Sequence, residues 1–219
     1  MKALLNLIIF DLDGVLVSTD RYHRLGWQHL ANELRIPFTP EQAERTRGVD
    51  RMASLRIVLG TNHRYSEAEM VELATRKNQY YQELIRQISP DNLLPGTLDL
   101  LAELESHRIR KAVGSASRNA ADVLGRLGIA HRFETIVTGH DFTRGKPAPD
   151  VFLTAAQRLS VAPENCIVFE DAAAGIQAAH AAGMKAVGIG RPDTVAGAKL
   201  IVPSLAAIHY ADLLTLMEK

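Results

Sequence analysis

The sequence predicts an α/β fold in which helices cover both faces of a parallel sheet and an all-helical segment is inserted near the N-terminus. Short apolar runs alternate with helical patterns, which is typical of a parallel sheet. The stretch from about residue 18 to residue 94 instead contains helical periodicity and almost no strand signal. The chain has 219 residues, of which 47% are hydrophobic, enough for a sizeable packed core.

Six apolar runs are the predicted strands: residues 4–10, 109–113, 136–137, 166–169, 186–189 and 200–202. In parallel sheets the ligand site lies outside the carboxyl ends of the strands. The residues that follow these runs are therefore the first candidates for function. They are Asp11, Asp13, Ser115, Ser117, Lys146, Glu170 and Asp171.

The sequence pattern of the inserted segment predicts three helices, over residues 20–35, about 50–60 and 67–88. Gly60 closes the second helix, and Ser66 with Glu69 forms a capping box that starts the third. Pro90 then stops the third helix. We expect a core domain over residues 1–17 and 94–219 and a helical cap domain over residues 18–93.

The overall composition excludes some classes of partner. Twenty-five basic residues balance 25 acidic ones, so the chain has no electrostatic footprint for nucleic acid or an anionic membrane. The single cysteine, Cys166, cannot form an internal disulfide and is interpreted as a buried apolar residue. The run 4–10 lacks a following cleavage site, and no stretch approaches the roughly 18 apolar residues of a membrane span. We expect a cytoplasmic protein with no nucleic-acid and no membrane partner.

Two acidic pairs follow predicted strands. Asp11 and Asp13 leave the first strand two residues apart, a pattern that a solvated loop would explain equally well. Glu170 and Asp171 end the fourth run and weigh against that explanation, because four carboxylates at one sheet edge repel unless a hard cation lies among them. Oxygen ligands of this kind favour Mg²⁺.

The same sheet edge also provides for an anion. Ser115 and Ser117 stand at a junction between a strand and a helix, where hydroxyl and backbone N–H groups hold phosphoryl oxygens. Lys146 lies between Gly145 and Pro147. A lone surface lysine usually has no role, but the restricted backbone of this turn can position its side chain.

These motifs, in this order and at these strand ends, resemble the haloacid dehalogenase superfamily over essentially the whole chain. Motifs of the insert, such as Arg47-Gly48-Val49 and Arg76-Lys77-Asn78, resemble its sugar-phosphate mutases. The resemblance implies a Rossmann-like parallel sheet core with an inserted all-helical cap domain. It also implies a Mg²⁺-dependent enzyme that binds a small sugar phosphate. We expect a monomer.

The resemblance implies a role for each motif residue in the core. Asp11 would attack phosphorus, become the aspartyl phosphate and bind the metal. Asp13 would be the general acid and base, with its backbone carbonyl on the metal. Glu170 and Asp171 would complete the metal site. Catalytic contacts to the transferring phosphoryl group would come from Ser115 and Lys146.

Two cap residues lie on otherwise apolar helix faces. Lys77 either extends to water or faces a cleft. His23, considered alone, is interpreted as a core histidine whose hydrogen-bonding groups have partners. The resemblance implies that His23 holds the general acid, that Lys77 contacts the substrate and that Arg51 clamps a second phosphate. It implies further substrate contacts from Thr19, Trp27, Arg47, Gly48, Val49, Ser54, Ala116, Ser117, Arg118 and Asn119.

The resemblance leaves two activities open for these residues. The first is a mutase that moves a phosphoryl group between the 1- and 6-positions of β-glucose. The second is a sugar-phosphate phosphatase that uses Asp11 in the same way but releases the group to water. A noncatalytic sugar-phosphate sensor would not require Asp11 and Asp13 together. Arg47, where family members often have lysine, and Ala172, where a serine is common, are departures that bear on substrate preference.

Overall fold

The computed structural model describes residues 4–61 and 63–218. Within these residues, six parallel strands form one sheet in the order β3-β2-β1-β4-β5-β6. The strands are β1 (Leu7–Phe10), β2 (Arg110–Gly114), β3 (Thr135–Val137), β4 (Cys166–Glu170), β5 (Lys185–Ile189) and β6 (Leu200–Val202). The predicted fold class is confirmed. The first strand begins later than the apolar run does, because Leu4 is exposed.

The strand register brings the predicted site to one edge of the sheet. Phe10, the last residue of β1, lies beside Val113 of β2 and Phe169 of β4. The three strands therefore end at nearly the same level. The backbone N–H of Asp11 still donates to the carbonyl of Phe169 at 2.9 Å, which fixes where the chain leaves the sheet.

The helices are α1 (Asp20–Leu34), α2 (Pro40–Arg45), α3 (Arg51–Leu59), α4 (Glu67–Leu84), α5 (Thr97–Ser106), α6 (Ala120–Arg126), α7 (Asp150–Arg158), α8 (Ala173–Ala181) and α9 (Tyr210–Glu218). Side chains of β1 alternate between two buried clusters. Ile8 and Phe10 pack in one, and Leu7 and Ile9 in the other. Both faces of the sheet are therefore covered, as the alternating pattern predicts.

Helices α1, α3 and α4 share a buried apolar cluster of their own that includes Trp27, Leu55 and Leu73. The predicted capping box of Ser66 and Glu69 starts α4. Gly60, with φ of 72°, ends α3 as expected. Helix α4 becomes a 3₁₀ turn over Ile85–Gln87, close to its predicted end.

The outer limits of the predicted domains, residues 1–3 and 219, lie outside the described residues. In the parts of the chain that the structure describes, no helix is both long and apolar enough to cross a membrane.

Candidate active site

Three carboxylates meet at the carboxyl edge of the sheet. Oxygens of Asp11, Glu170 and Asp171 lie within 4.8 Å of one another, and all three residues are buried. Asp11 follows β1, Glu170 ends β4 and Asp171 follows it, so the register of these two strands creates the group. The carboxylate of Asp13 is not a member of it. The structure thus brings together three of the four strand-end carboxylates.

Lys146 provides the positive charge that faces these three carboxylates. Its Nζ donates to Asp11 Oδ1 at 2.5 Å and to Glu170 Oε1 at 2.5 Å. Burial opposes the charged form of Lys146, but the carboxylates of Asp11 and Glu170 outweigh it and raise its pKa. The Lys146–Pro147 peptide bond is cis. Lys146 is thus buried against the predicted nucleophile.

The acidic group carries more negative charge than Lys146 can offset. Burial raises the pKa of Asp11 to about 7, with Lys146 opposing the shift. Burial, with the charges of Glu170 and Asp11, raises the pKa of Asp171 to about 8. Hard oxygen donors in this number and at this spacing fit a divalent cation, which would stabilise the ionised forms.

Two glycines allow the carboxylates to come this close. Gly14 has φ of 83°, and a Cβ there would lie 2.0 Å from Asp171 Oδ2. A Cβ at Gly175, in α8, would lie 1.8 Å from Glu170 Oε1. Any side chain at either position would displace a carboxylate of the group.

Asp13 faces the cap instead. Its Oδ2 lies 3.9 Å from Nε2 of His23. Burial, with the negative charges of Asp11, Asp20 and Asp171, raises its pKa well above the usual range. This shift favours the protonated form of Asp13, as a general acid requires.

Lys77 is buried and does not extend to water. Its Nζ lies 3.0 Å from His23 Nδ1 and 4.6 Å from the centre of the Trp27 ring. Burial, together with Arg51, lowers its pKa to about 7. The His23 ring stacks on Tyr81 with 4.1 Å between ring centres. Burial and the two cations Lys77 and Arg51 also lower the pKa of His23, so the imidazole is neutral.

Two serine hydroxyls fix the backbone of the loop after β2. The buried Ser115 Oγ accepts from the backbone N–H of Ser117 at 3.1 Å. Ser117 Oγ accepts from the backbone N–H of Asn119 at 3.2 Å, just before α6. Ser115, Ser117 and Arg118 all line the space between the core and the cap.

Two cap arginines reach this space. Arg47 NH2 donates to Asp171 Oδ2 at 2.5 Å, and its Nε lies 3.0 Å from Asp20 Oδ2. Burial, reinforced by the positive charge of Arg118, lowers the pKa of Arg51 to about 10. Arg51 and Arg118 both line the cleft between the core and the cap, so two positive charges are available there for an anion.

A cleft of about 490 Å³ joins these groups. It contains most of the residues that the sequence singles out: Asp11, Asp13, His23, Trp27, Arg47, Gly48, Val49, Arg51, Ser54, Lys77, Ser115, Ala116, Ser117, Arg118 and Asn119. Thr19, Lys146, Glu170 and Asp171 are buried and are not among its lining residues.

Asp20 and Asn78 also line the cleft, although the sequence assigns them no role. Asn78 had a usable signal, since it follows Lys77 within the motif Arg76-Lys77-Asn78. Asp20 had none, because an acidic residue in the first turn of a helix is common without function.

The family model for haloacid dehalogenase-like hydrolases matches residues 8–189. The β-phosphoglucomutase of Bacillus subtilis is 45% identical over 205 residues, 92% of this chain and 89% of that protein. A fructose-1-phosphate phosphatase of Escherichia coli is 33% identical over 186 residues, 83% of this chain and 95% of that protein.

A solved structure of β-phosphoglucomutase from Clostridium difficile superposes with a TM-score of 0.94 at 37% identity. The match covers 98% of this chain and 97% of that one.

Proposed function

The chain belongs to the haloacid dehalogenase-like hydrolase family, and from this premise we propose that it acts as a β-phosphoglucomutase. It would interconvert β-D-glucose 1-phosphate and D-glucose 6-phosphate through an aspartyl-phosphate enzyme and β-glucose 1,6-bisphosphate. One observation carries the proposal. The cleft is lined by Arg51 and Arg118 in addition to Asp11, whose carboxylate accepts a hydrogen bond from the buried Lys146. A bisphosphate needs one such site for each phosphate.

Phosphoryl transfer begins at Asp11. An Asp11 oxygen forms a bond to phosphorus while the bond between phosphorus and the sugar oxygen breaks, and the proton of Asp13 passes to that leaving oxygen. In the second half, Asp13 takes the proton of the accepting hydroxyl, whose oxygen attacks phosphorus and releases the Asp11 carboxylate. Lys146 and the Ser115 hydroxyl offset the charge that spreads over the phosphoryl oxygens.

We propose Mg²⁺ as the divalent cation, held by Asp11, Glu170, Asp171 and the backbone carbonyl of Asp13. When bound, it would supply positive charge at the phosphoryl oxygens. The donor set supports this choice, because it consists of hard oxygens and lacks sulfur and imidazole.

The cap would select the substrate and exclude water. Arg51 and Arg118 would hold the phosphate that does not react, and Lys77 would contact the sugar phosphate. His23 would hold Asp13 in its working position. Trp27 and the other predicted contact residues complete the cleft wall, with Thr19 behind it.

This division of roles supports a core domain over residues 1–17 and 94–219 and a cap domain over residues 18–93. One copy of the chain supplies both phosphate sites, which supports a monomer.

A screen of sugar 1-phosphates tests the proposal. Purified protein with Mg²⁺ and a trace of bisphosphate primer receives β-glucose 1-phosphate, its α-anomer or another sugar 1-phosphate, and the products are resolved. We expect glucose 6-phosphate from the β-anomer alone. Equal turnover of all sugars, with free phosphate as the main product, would instead support a sugar-phosphate phosphatase. That is the second candidate, favoured by the likeness to the fructose-1-phosphate phosphatase.

A further inference from the structure

Three amide side chains connect the cap to the core. Asn119, which precedes α6 in the core, donates from Nδ2 to Asn78 Oδ1 at 2.8 Å. Gln82, one turn after Asn78 on cap helix α4, donates from Nε2 to Asn119 Oδ1 at 3.3 Å. Asn78, Gln82 and Asn119 are called the amide clamp below. The two α4 side chains hold both ends of one core amide.

Each hydrogen bond of the amide clamp has only one possible donor and one possible acceptor. Arg51 NH2 lies 2.8 Å from the same Asn78 oxygen. A guanidinium can only donate, so the Asn78 atom that faces it must be the acceptor. Asn119 must then present its NH₂ group to that oxygen and its own oxygen to Gln82. Asn78 Oδ1 uses both of its lone pairs, one for the cap arginine and one for the core amide.

The clamp connects the two arginines of the cleft through Asn78 and Asn119. Arg118 is the residue before Asn119, so fixing Asn119 also fixes the backbone that carries Arg118. Arg51 is fixed from the other side by the same oxygen. The positive charge of Arg118 already lowers the pKa of Arg51, which means that the two cations repel. A neutral acceptor at Asn78 orients Arg51 without neutralising it, whereas a carboxylate there would compete with an anionic ligand.

We propose that Asn78 is a positioning residue that aligns Arg51 with the Arg118 loop, so that the two guanidiniums receive one phosphate of a sugar bisphosphate. The proposal rests on the proposed function, since it names the phosphate that does not react. Asn78 would act through Arg51 and Asn119 and not on the reacting phosphorus. Its loss should therefore affect ligands with two phosphates and spare chemistry at Asp11 that needs only one.

The experiment compares Asn78→Ala and Asn78→Ser with the unchanged protein. One assay measures KM and kcat for β-glucose 1,6-bisphosphate, and the other measures phosphorylation of Asp11 by acetyl phosphate, which has no second phosphate. Because one of the lost hydrogen bonds involves a charged donor, we expect KM for the bisphosphate to rise about 10- to 100-fold. The acetyl phosphate rate should stay within about twofold. The second variant guards against a folding defect in the first.

Two control variants distinguish a loss of arginine alignment from general damage to the interface between the cap and the core. Gln82→Ala loses the contact with Asn119 but not the one with Arg51, so KM should rise less than in Asn78→Ala. Asn32→Ala, at an exposed position in α1, should change nothing. Unchanged bisphosphate KM in both Asn78 variants would overturn the inference. So would an equal loss in both assays, because alignment of a remote phosphate cannot slow the acetyl phosphate reaction.

Failure of the proposed function would look different. If the unchanged protein does not isomerise the sugar phosphate, calorimetric binding of the bisphosphate to Asp11→Asn still tests the clamp. Weaker binding on adding Asn78→Ala would then support the alignment of the arginines without the mutase activity. Equal affinity with and without Asn78→Ala would overturn the inference.

Discussion

Lys77 Nζ lies 3.0 Å from Nδ1 of His23. A charged lysine nitrogen can only donate, so Nδ1 is the acceptor whenever Lys77 is protonated. His23 is neutral, since burial and its two cationic neighbours lower its pKa. With Lys77 protonated, the proton of His23 is therefore on Nε2, the nitrogen that faces Asp13 Oδ2 at 3.9 Å. Lys77 thus selects the tautomer that offers a donor to the general acid.

Replacement of Lys77 by methionine should change how stability depends on pH. Burial and Arg51 lower the pKa of Lys77 to about 7, with Asp13 opposing, while in the unfolded chain it stays near 10.5. Between these values the unfolded chain binds more protons, so this lysine makes stability rise with pH. The stability of Lys77→Met relative to the unchanged protein should therefore be highest below pH 7 and fall by a few kcal/mol towards pH 10.

Urea unfolding at several pH values measures this effect. Lys199→Met, at an exposed lysine, provides the control, and its stability difference should depend on pH far less than that of Lys77→Met. A flat difference for Lys77→Met would contradict the buried, partly neutral lysine.

Replacement of Asp13 by asparagine should separate two kinds of phosphoryl donor. Acetyl phosphate has a good leaving group that needs no proton, whereas a sugar oxygen must be protonated as it leaves. We expect Asp13→Asn to slow turnover of the sugar phosphate by about 10² to 10⁴-fold. Phosphorylation by acetyl phosphate should change far less. Stopped-flow or quenched-flow assays measure both rates, and an equal slowing would argue against an acid and base role.

Replacement of Arg47 by alanine should tighten metal binding. The Arg47 guanidinium lies 2.5 Å from Asp171 Oδ2 and opposes a cation there. Its removal should raise the affinity for Mg²⁺ about 3- to 10-fold, a modest gain because Arg47 is partly exposed. Calorimetry without substrate measures this directly. Arg45→Ala, at the exposed end of α2, is the control. Weaker Mg²⁺ binding in Arg47→Ala would place the metal away from Asp171.

Local signals predicted most of the fold. The apolar runs gave all six described strands, and the capping box at Ser66 placed the start of α4. Helix α2 was missed, although Thr39 and Gln42 form the same kind of capping box before Pro40–Arg45. That helix has no buried residue, so it lacks the apolar stripe on which helix prediction mainly depends.

The candidate site was less completely predictable, because contacts between distant segments decide it. Strand ends predicted that Asp11 and Glu170 meet, since their register follows from the parallel sheet. That the Asp13 side chain leaves this group for His23 depends on how the cap lies over the core. The same holds for Asn78, whose two partners are 27 and 41 residues away in sequence. No local pattern encodes such distances.

Replacement of Asp11 by asparagine should abolish the phosphorylated enzyme. The amide is a poor nucleophile, so turnover should fall at least about 10⁴-fold. Intact-mass spectrometry after acetyl phosphate should find one added phosphoryl group in the unchanged protein and none in Asp11→Asn. The conservative change keeps the shape of the site, and unaltered thermal unfolding would exclude a folding defect. A phosphorylated Asp11→Asn protein would place the nucleophile elsewhere.

The fate of the phosphoryl group on Asp11 tests the central claim most directly. Protein labelled by radioactive acetyl phosphate is mixed with β-glucose 1-phosphate or with buffer, and the label is followed over time. If the protein is a mutase, the label should move to the sugar bisphosphate at least about tenfold faster than to water, because cap closure excludes water. Label that leaves as free phosphate at the same rate with and without the sugar would contradict the claim.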